Sequence, residues 1–207
     1  MPMLYNNFAR ACAVALLLAF AGSARAASDA SAFMVELGRQ AIATMTSGTA
    51  SPAERAQHFG TIVDRNFDVP RIAKFMLGRY WLSATDRERD DFTHVFRAYM
   101  IRTYSDNFRR FRSDSFHVIG QRAESDTVTI VSTDLSLLAS GQPMTVEWRV
   151  IKESDGYKIN DLSVGGASLA DAQRAQFAAA LQRDGGKVSL LIQQVKSKLS
   201  HLETAEQ

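Results

Sequence analysis

A change of hydrophobic period halfway along the chain constrains the fold more than any other feature of the sequence. Between residues 115 and 165, apolar and polar side chains alternate, as at Val146, Trp148 and Val150, and this spacing is typical of half-buried strands. Glycine-containing segments at residues 140–143 and 154–156 are typical of turns. The region therefore predicts four antiparallel strands joined in chain order.

Apolar residues with helical spacing precede and follow this alternating region. Ser51 with Glu54, and Thr85 with Glu88, have the form of capping boxes that begin helices. Helices are predicted at about residues 31–46, 51–67, 68–78, 85–110, 168–184 and 188–199. This order predicts one α+β domain in which helices pack on one face of a curved four-stranded antiparallel sheet.

The first 26 residues have the pattern of a secretory signal peptide. Residues 11–22 are apolar or small, a run shorter than the about 20 residues that span a bilayer, and Ala24-Arg25-Ala26 has the form of a cleavage site. Removing residues 1–26 removes two arginines, no acid and the sole cysteine, so 22 basic and 22 acidic residues remain. We therefore expect an exported, periplasmic, soluble domain over residues 27–207.

Catalytic and metal-binding motifs are scarce in this sequence. The four histidines are far apart, and none has the spacing of a zinc site. The sequence has no nucleophile elbow, no P-loop and no dinucleotide fingerprint. We therefore expect no catalytic residue, no metal and no cofactor. Export also makes nucleic acid an unexpected partner.

Two segments resemble the MlaC family, also called the toluene-tolerance family, which is the periplasmic auxiliary component of phospholipid-transporting ABC systems. The first is NFDVPRIAKFMLGRYWLSATDRERDDFTHVFRAYMIRTY, residues 66–104, with the family's Phe-Asp, Ile-Ala and Leu-Gly pairs. The second is GYKINDLSVGGASLADAQRAQFAAAL, residues 156–181, with matching Asp161, Ser168 and Arg174. Departures at Ala167 and Gln173 indicate a divergent branch, so phospholipid and hopanoid both stay open as cargo.

This resemblance implies a fold and a function. The fold is similar to the nuclear-transport-factor-like cone, with lipid tails in an apolar pocket and the headgroup toward solvent. The carrier would be a monomer, not an enzyme. It would shuttle lipid between an inner-membrane ABC transporter complex and an outer-membrane lipoprotein complex, and so serve outer-membrane lipid asymmetry.

We expect the apolar residues of the helices and of the sheet to form two walls of such a pocket. The helical wall is predicted to comprise Phe67, Ile72, Phe75, Trp81, Phe92, Phe96, Met100 and Tyr104. The sheet wall is predicted to comprise Val128, Ile130, Val146, Trp148, Val150 and Ile159. Alternation alone leaves open which strand residues face inward.

Two other functions fit the same elements. An isomerase or dehydratase on the cone fold would need an ionisable side chain inside the pocket, for which His117, Asp134 and Tyr104 are the candidates. An interaction module would instead have a fully packed core, with no cavity larger than a water molecule.

Overall fold

The computed structural model describes residues 21–45, 51–105, 116–136 and 143–204, which contain seven helices and five strands. The helices before the sheet are α1 Ala21–Met45, α2 Pro52–Asn66, α3 Val69–Leu77, α4 Tyr80–Ser83 and α5 Asp86–Ser105. The strands are β1 His117–Ala123, β2 Val128–Ser136, β3 Pro143–Glu153, β4 Gly156–Val164 and β5 Ala167–Ser168. Helices α6 Leu169–Arg183 and α7 Val188–Thr204 follow them.

Both predicted capping boxes form. The Ser51 N–H donates to the Glu54 carboxylate at 2.7 Å, while the Glu54 N–H donates to Ser51 Oγ at 3.3 Å. Thr85 and Glu88 make the same pair of bonds at 3.0 and 3.2 Å. The backbone N–H groups of Ser51 and Thr85 donate to the carboxylates of Glu54 and Glu88 and hold the pKa of each below its ordinary value. The caps therefore fix where α2 and α5 begin.

The sheet has five strands in the order β1-β2-β3-β4-β5, and each neighbouring pair is antiparallel. The predicted number of four is wrong by one, because Ala167 and Ser168 pair with the end of β4 as a fifth strand. A two-residue strand shows no alternation, so its sequence has no period to detect. The α+β class and the meander are confirmed.

Helices pack on the sheet at two places. Helix α1 lies across β1 and β2, while α2, α3 and α6 contact β4. The long helix α5 packs on α7, α2 and α3. The molecule therefore has a mainly helical half, which meets the sheet along β4, and a second half in which α1 covers the sheet.

Several predicted boundaries differ from the observed ones. Helix α1 begins at Ala21, ten residues before its predicted start, and so contains the predicted cleavage site. Residues 1–20, which hold most of the predicted signal peptide, and residues 106–110, the predicted end of the long helix, lie outside the described residues. Among the helices that are described, none combines the length and apolar character that a membrane span requires.

Candidate functional site

Buried apolar side chains form three clusters. The helical cluster joins α3, α5, α6 and α7, and its largest fully buried members are Phe92, Leu77, Leu181 and Leu191. The sheet cluster joins α1 to the inner face of the sheet and includes Met34, Val131, Val150 and Ile159. A smaller junction cluster contains Phe59, Val63, Val69 and Ile101.

Phe67 packs against all three clusters. It follows α2 in an extended conformation, where its N–H still donates to the Val63 carbonyl. The next N–H, that of Asp68, donates to the Ile159 carbonyl on β4 at 3.0 Å. The Lys158 ammonium, also on β4, donates to the Arg65 carbonyl at 2.6 Å. These bonds attach the α2–α3 turn to β4 and place Phe67 where the layers meet.

The inner face of the sheet is mainly apolar and contains a buried hydrogen-bonded pair of side chains. Trp148 Nε1 donates to Thr133 Oγ1 at 2.8 Å, and Thr133 is fully buried. The Phe116 ring lies 6.4 Å from the Trp148 ring. Gly38 lets α1 approach here, because a Cβ on it would come within 2.2 Å of the Phe116 ring. The sheet and α1 therefore enclose an apolar layer whose indole N–H has a partner.

The predicted helical wall is divided between clusters. Ile72, Phe92 and Phe96 are buried in the helical cluster, and Trp81 packs against its edge. The rings of Phe92 and Phe96 are stacked with centroids 5.8 Å apart, and both meet the Phe177 ring edge-on. This group packs as the core of a helix bundle and is not part of the sheet cluster.

The remaining predicted helical residues have three different surroundings. Met100 contacts both the helical and the junction clusters, and Tyr104 contacts the junction cluster. Burial raises the pKa of the Tyr104 phenol. Phe75 lies at the surface, 36% exposed, beneath the guanidinium of Arg174.

The predicted sheet wall is divided between the two faces of the sheet. Val146, Trp148, Val150 and Ile159 all belong to the sheet cluster. Val128 and Ile130 are buried but lie outside it, because Val131 and Thr133 occupy the inward positions of β2 opposite Trp148 and Val146. Ile130 instead lies between Arg122 and Arg149 on the outer face.

The predicted pocket walls contain none of the α1 residues that cover the sheet. Ala30, Met34, Leu37 and Ala41 are all buried against it. Their spacing of three and four residues is the signal that could have identified them, because it marks one face of a helix.

The three candidates for catalysis do not form one group. His117 is exposed on β1 and pairs with Asp134 of β2, whose carboxylate accepts a hydrogen bond from Thr145 Oγ1 at 2.8 Å. His117 and Asp134 point to the outer face of the sheet, because the adjacent cross-strand pair, Val118 and Thr133, points into the sheet cluster. Tyr104 belongs to a different cluster. The described residues contain no group of three or more side chains that could hold a metal ion.

An open pocket of about 410 Å³ lies between α4 and the start of α7. Tyr80, Glu88 and the Gly185–Ser189 segment line it. The Glu88 carboxylate accepts a backbone hydrogen bond from Ser189 and so takes up a donor at the start of α7. This mixed polar lining does not suit an acyl chain, in contrast to the apolar layer beneath α1.

Comparisons with known proteins agree with this architecture. The family described as MlaC protein matches residues 36–197. Among solved structures, the chain is similar to the phospholipid-binding protein of Ralstonia solanacearum, which was solved in complex with a phospholipid. The two share 26% sequence identity with a TM-score of 0.73, and the match covers 84% of this chain and 99% of the other.

Proposed function

The chain belongs to the MlaC family, and from that premise we propose that it is a phospholipid carrier without catalytic activity. The observation that carries the proposal is the phospholipid in the similar Ralstonia structure, because the match covers nearly all of that protein. His117 and Asp134 are neighbours on the outer face of the sheet, while Tyr104 packs against the junction cluster, so the three side chains form no common reaction centre, which agrees with a carrier.

The acyl chains would lie in the apolar layer between α1 and the sheet, at the side where the sheet cluster meets the junction cluster at Phe67. Phe67 contacts every cluster there, Met100 and Tyr104 border it from α5, and Trp148 and Ile159 border it from the sheet. The packed phenylalanine rings around Phe92 would serve as structural core instead. Of the predicted wall residues, Phe75, Val128 and Ile130 would lie outside this layer.

A simple transfer argument explains why such a layer suffices for the task. Two acyl chains of about 16 carbons carry about 30 methylenes, and exposing them to water costs on the order of 25 kcal/mol at about 0.8 kcal/mol each. A protein pocket is about as apolar as a bilayer, so moving the chains between them is nearly neutral. The carrier therefore lowers the barrier to transfer, and direction has to come from an energy-consuming partner.

The location and the partners form part of the same proposal. Residues 1–26 would be removed as a signal peptide, leaving a periplasmic monomer that exchanges lipid with an inner-membrane ABC transporter complex and an outer-membrane lipoprotein complex. A hopanoid is the alternative cargo, because its fused rings are also apolar and would fill the same layer.

A vesicle assay tests the carrier function. Donor vesicles contain a fluorescent phospholipid at self-quenching density, acceptor vesicles contain none, and the purified residues 27–207 are added in catalytic amounts. Transfer proportional to protein concentration is the expected result, with Phe67→Ala slower than a Phe75→Ala control. Transfer at the protein-free rate would refute the carrier function.

A further inference from the structure

Three arginine–aromatic contacts converge on one short stretch of the helical half. The guanidinium of Arg174 lies 4.4 Å from the Phe75 ring centroid, that of Arg79 lies 5.1 Å from Tyr80, and that of Arg89 lies 5.6 Å from Trp81. All three rings lie within residues 75–81, which run from the last turn of α3 into the start of α4. Aromatic residues and arginine are the types enriched at the centres of protein–protein interfaces.

The Arg174 guanidinium is held in a notch. Gly78 ends α3 with φ +53°, a conformation that favours glycine, and a Cβ on it would lie 2.9 Å from Arg174 Nη2. The guanidinium is thus placed between the Gly78 backbone and the Phe75 ring. A planar donor group that is already fixed loses little side-chain entropy when it binds a carboxylate.

Lys74, Arg79 and Arg174 place three positive charges around this notch. Among the ion pairs of the described residues, none involves Lys74, Arg79 or Arg174. In contrast, Arg89 is paired with Asp86 at 2.8 Å, so its charge is already balanced. These three positive charges, beside an exposed aromatic ring, can therefore form ion pairs with an anionic group.

We propose that this surface, defined by Lys74, Phe75, Gly78, Arg79 and Arg174, docks an acidic segment of a partner protein. An aspartate or glutamate carboxylate would accept two parallel hydrogen bonds from Arg174, while Arg79 and Lys74 would attract neighbouring acids. The exposed Phe75 ring would supply apolar contact at the rim.

The charges nearby favour a local acidic segment over a flat anionic membrane. A protein surface that binds an anionic bilayer typically presents a cluster of about four to eight Lys or Arg side chains, and this surface has three cations. One carboxylate of a peptide segment is enough to pair with the Arg174 guanidinium.

The test is a titration of ¹⁵N-labelled residues 27–207 with hexaglutamate, followed by NMR at the Gly78 N–H and the Arg174 side-chain Nε–H. Saturable shifts at both groups, weakened by NaCl, are expected. Arg174→Gln should raise the dissociation constant by about tenfold, the factor that one charge-assisted hydrogen-bond pair supplies. Arg183→Gln, which removes an equal charge from the same helix, should leave it within about twofold.

Three results would overturn the proposal: no shifts with hexaglutamate, equal effects of the two substitutions, or binding confined to phosphatidylglycerol vesicles. A purely structural role for Arg174 would lower the thermal midpoint of Arg174→Gln without any hexaglutamate response in the unsubstituted protein. The docking proposal rests on the proposed carrier function, because a lipid carrier has to bind a partner that exchanges lipid with it. Bound lipid is therefore measured on the same samples. Absent lipid with intact hexaglutamate binding would refute the carrier function alone.

Discussion

Replacing Thr133 with valine removes one hydroxyl from the inner face of the sheet and keeps the side-chain shape. The Trp148 indole N–H then loses the acceptor that it reaches at 2.8 Å. Thr133 is fully buried and Trp148 is 9% exposed, so water cannot replace the lost partner without entering the apolar layer. An unpaired buried donor costs about 1–3 kcal/mol, which is the expected loss in free energy of unfolding.

The matched control is Thr145→Val on the next strand. Thr145 is exposed, and its hydroxyl donates to Asp134 at the same distance of 2.8 Å. Water can satisfy the Asp134 carboxylate after the substitution, so we expect a change within about 0.5 kcal/mol. The pair of variants therefore compares a buried hydroxyl that accepts a hydrogen bond with an exposed hydroxyl that donates one of the same length.

Urea unfolding followed by circular dichroism measures both free energies, and thermal melts give an independent check. For a domain of this size, about 1 kcal/mol corresponds to about 2–4 °C, so Thr133→Val should melt about 2–12 °C lower. Equal effects of the two substitutions, or a neutral Thr133→Val, would refute the assignment of Thr133 and Trp148 to a dry inner face.

Three further predictions follow from other parts of the fold. Phe92→Ala should cost about 3–5 kcal/mol in urea unfolding, because Phe92 is fully buried in the helical cluster, yet leave the lipid bound per folded molecule unchanged. Gly38→Ala should speed hydrogen exchange in α1, and adding Phe116→Ala should reverse part of that effect by relieving the clash. The folded state lowers the pKa of Glu88, so the Glu88 carboxylate contributes stability above its unfolded pKa, and this stability is lost as the pH falls through its folded pKa. In Glu88→Gln, the thermal midpoint should therefore fall less steeply with decreasing pH than in the unsubstituted protein. The first assignment would be contradicted if Phe92→Ala lost bound lipid per folded molecule. The second would be contradicted if hydrogen exchange in α1 were unchanged in Gly38→Ala, and the third if the thermal midpoints of Glu88→Gln and the unsubstituted protein changed in parallel with pH.

The sequence was sufficient to predict the elements whose signals are local. The capping boxes at Ser51 and Thr85 depend on two side chains three residues apart, and both form as expected. The alternation of Val146, Trp148 and Val150 with polar residues identified β3 as a half-buried strand, although it left open which set faces inward. These signals do not depend on distant parts of the chain.

The inward face of β2 could not be predicted from alternation either. Residues 128–131 are all buried, so apolar residues occupy both faces and alternation vanishes. Pairing with β3 decides the matter, because Val131 is opposite Trp148 while Ile130 is opposite Arg149. Such pairing is a non-local property that a single strand does not encode.

The sequence also did not predict which helices approach each other closely. Nothing in the pattern of α6 indicates that Arg174 reaches the Gly78 backbone, almost a hundred residues earlier. Phe75 was assigned to a pocket wall because it is aromatic, but the structure places it at the surface under that arginine. Packing between helices decides these positions.

Native mass spectrometry of the protein purified without detergent tests the central proposal most directly. The account predicts a folded monomer of residues 27–207 with one phospholipid, or one hopanoid, bound per chain, and the mass difference identifies which. Phe67→Ala should reduce the lipid-bound fraction relative to Phe75→Ala. A folded protein whose mass equals that of the bare chain would contradict the carrier function.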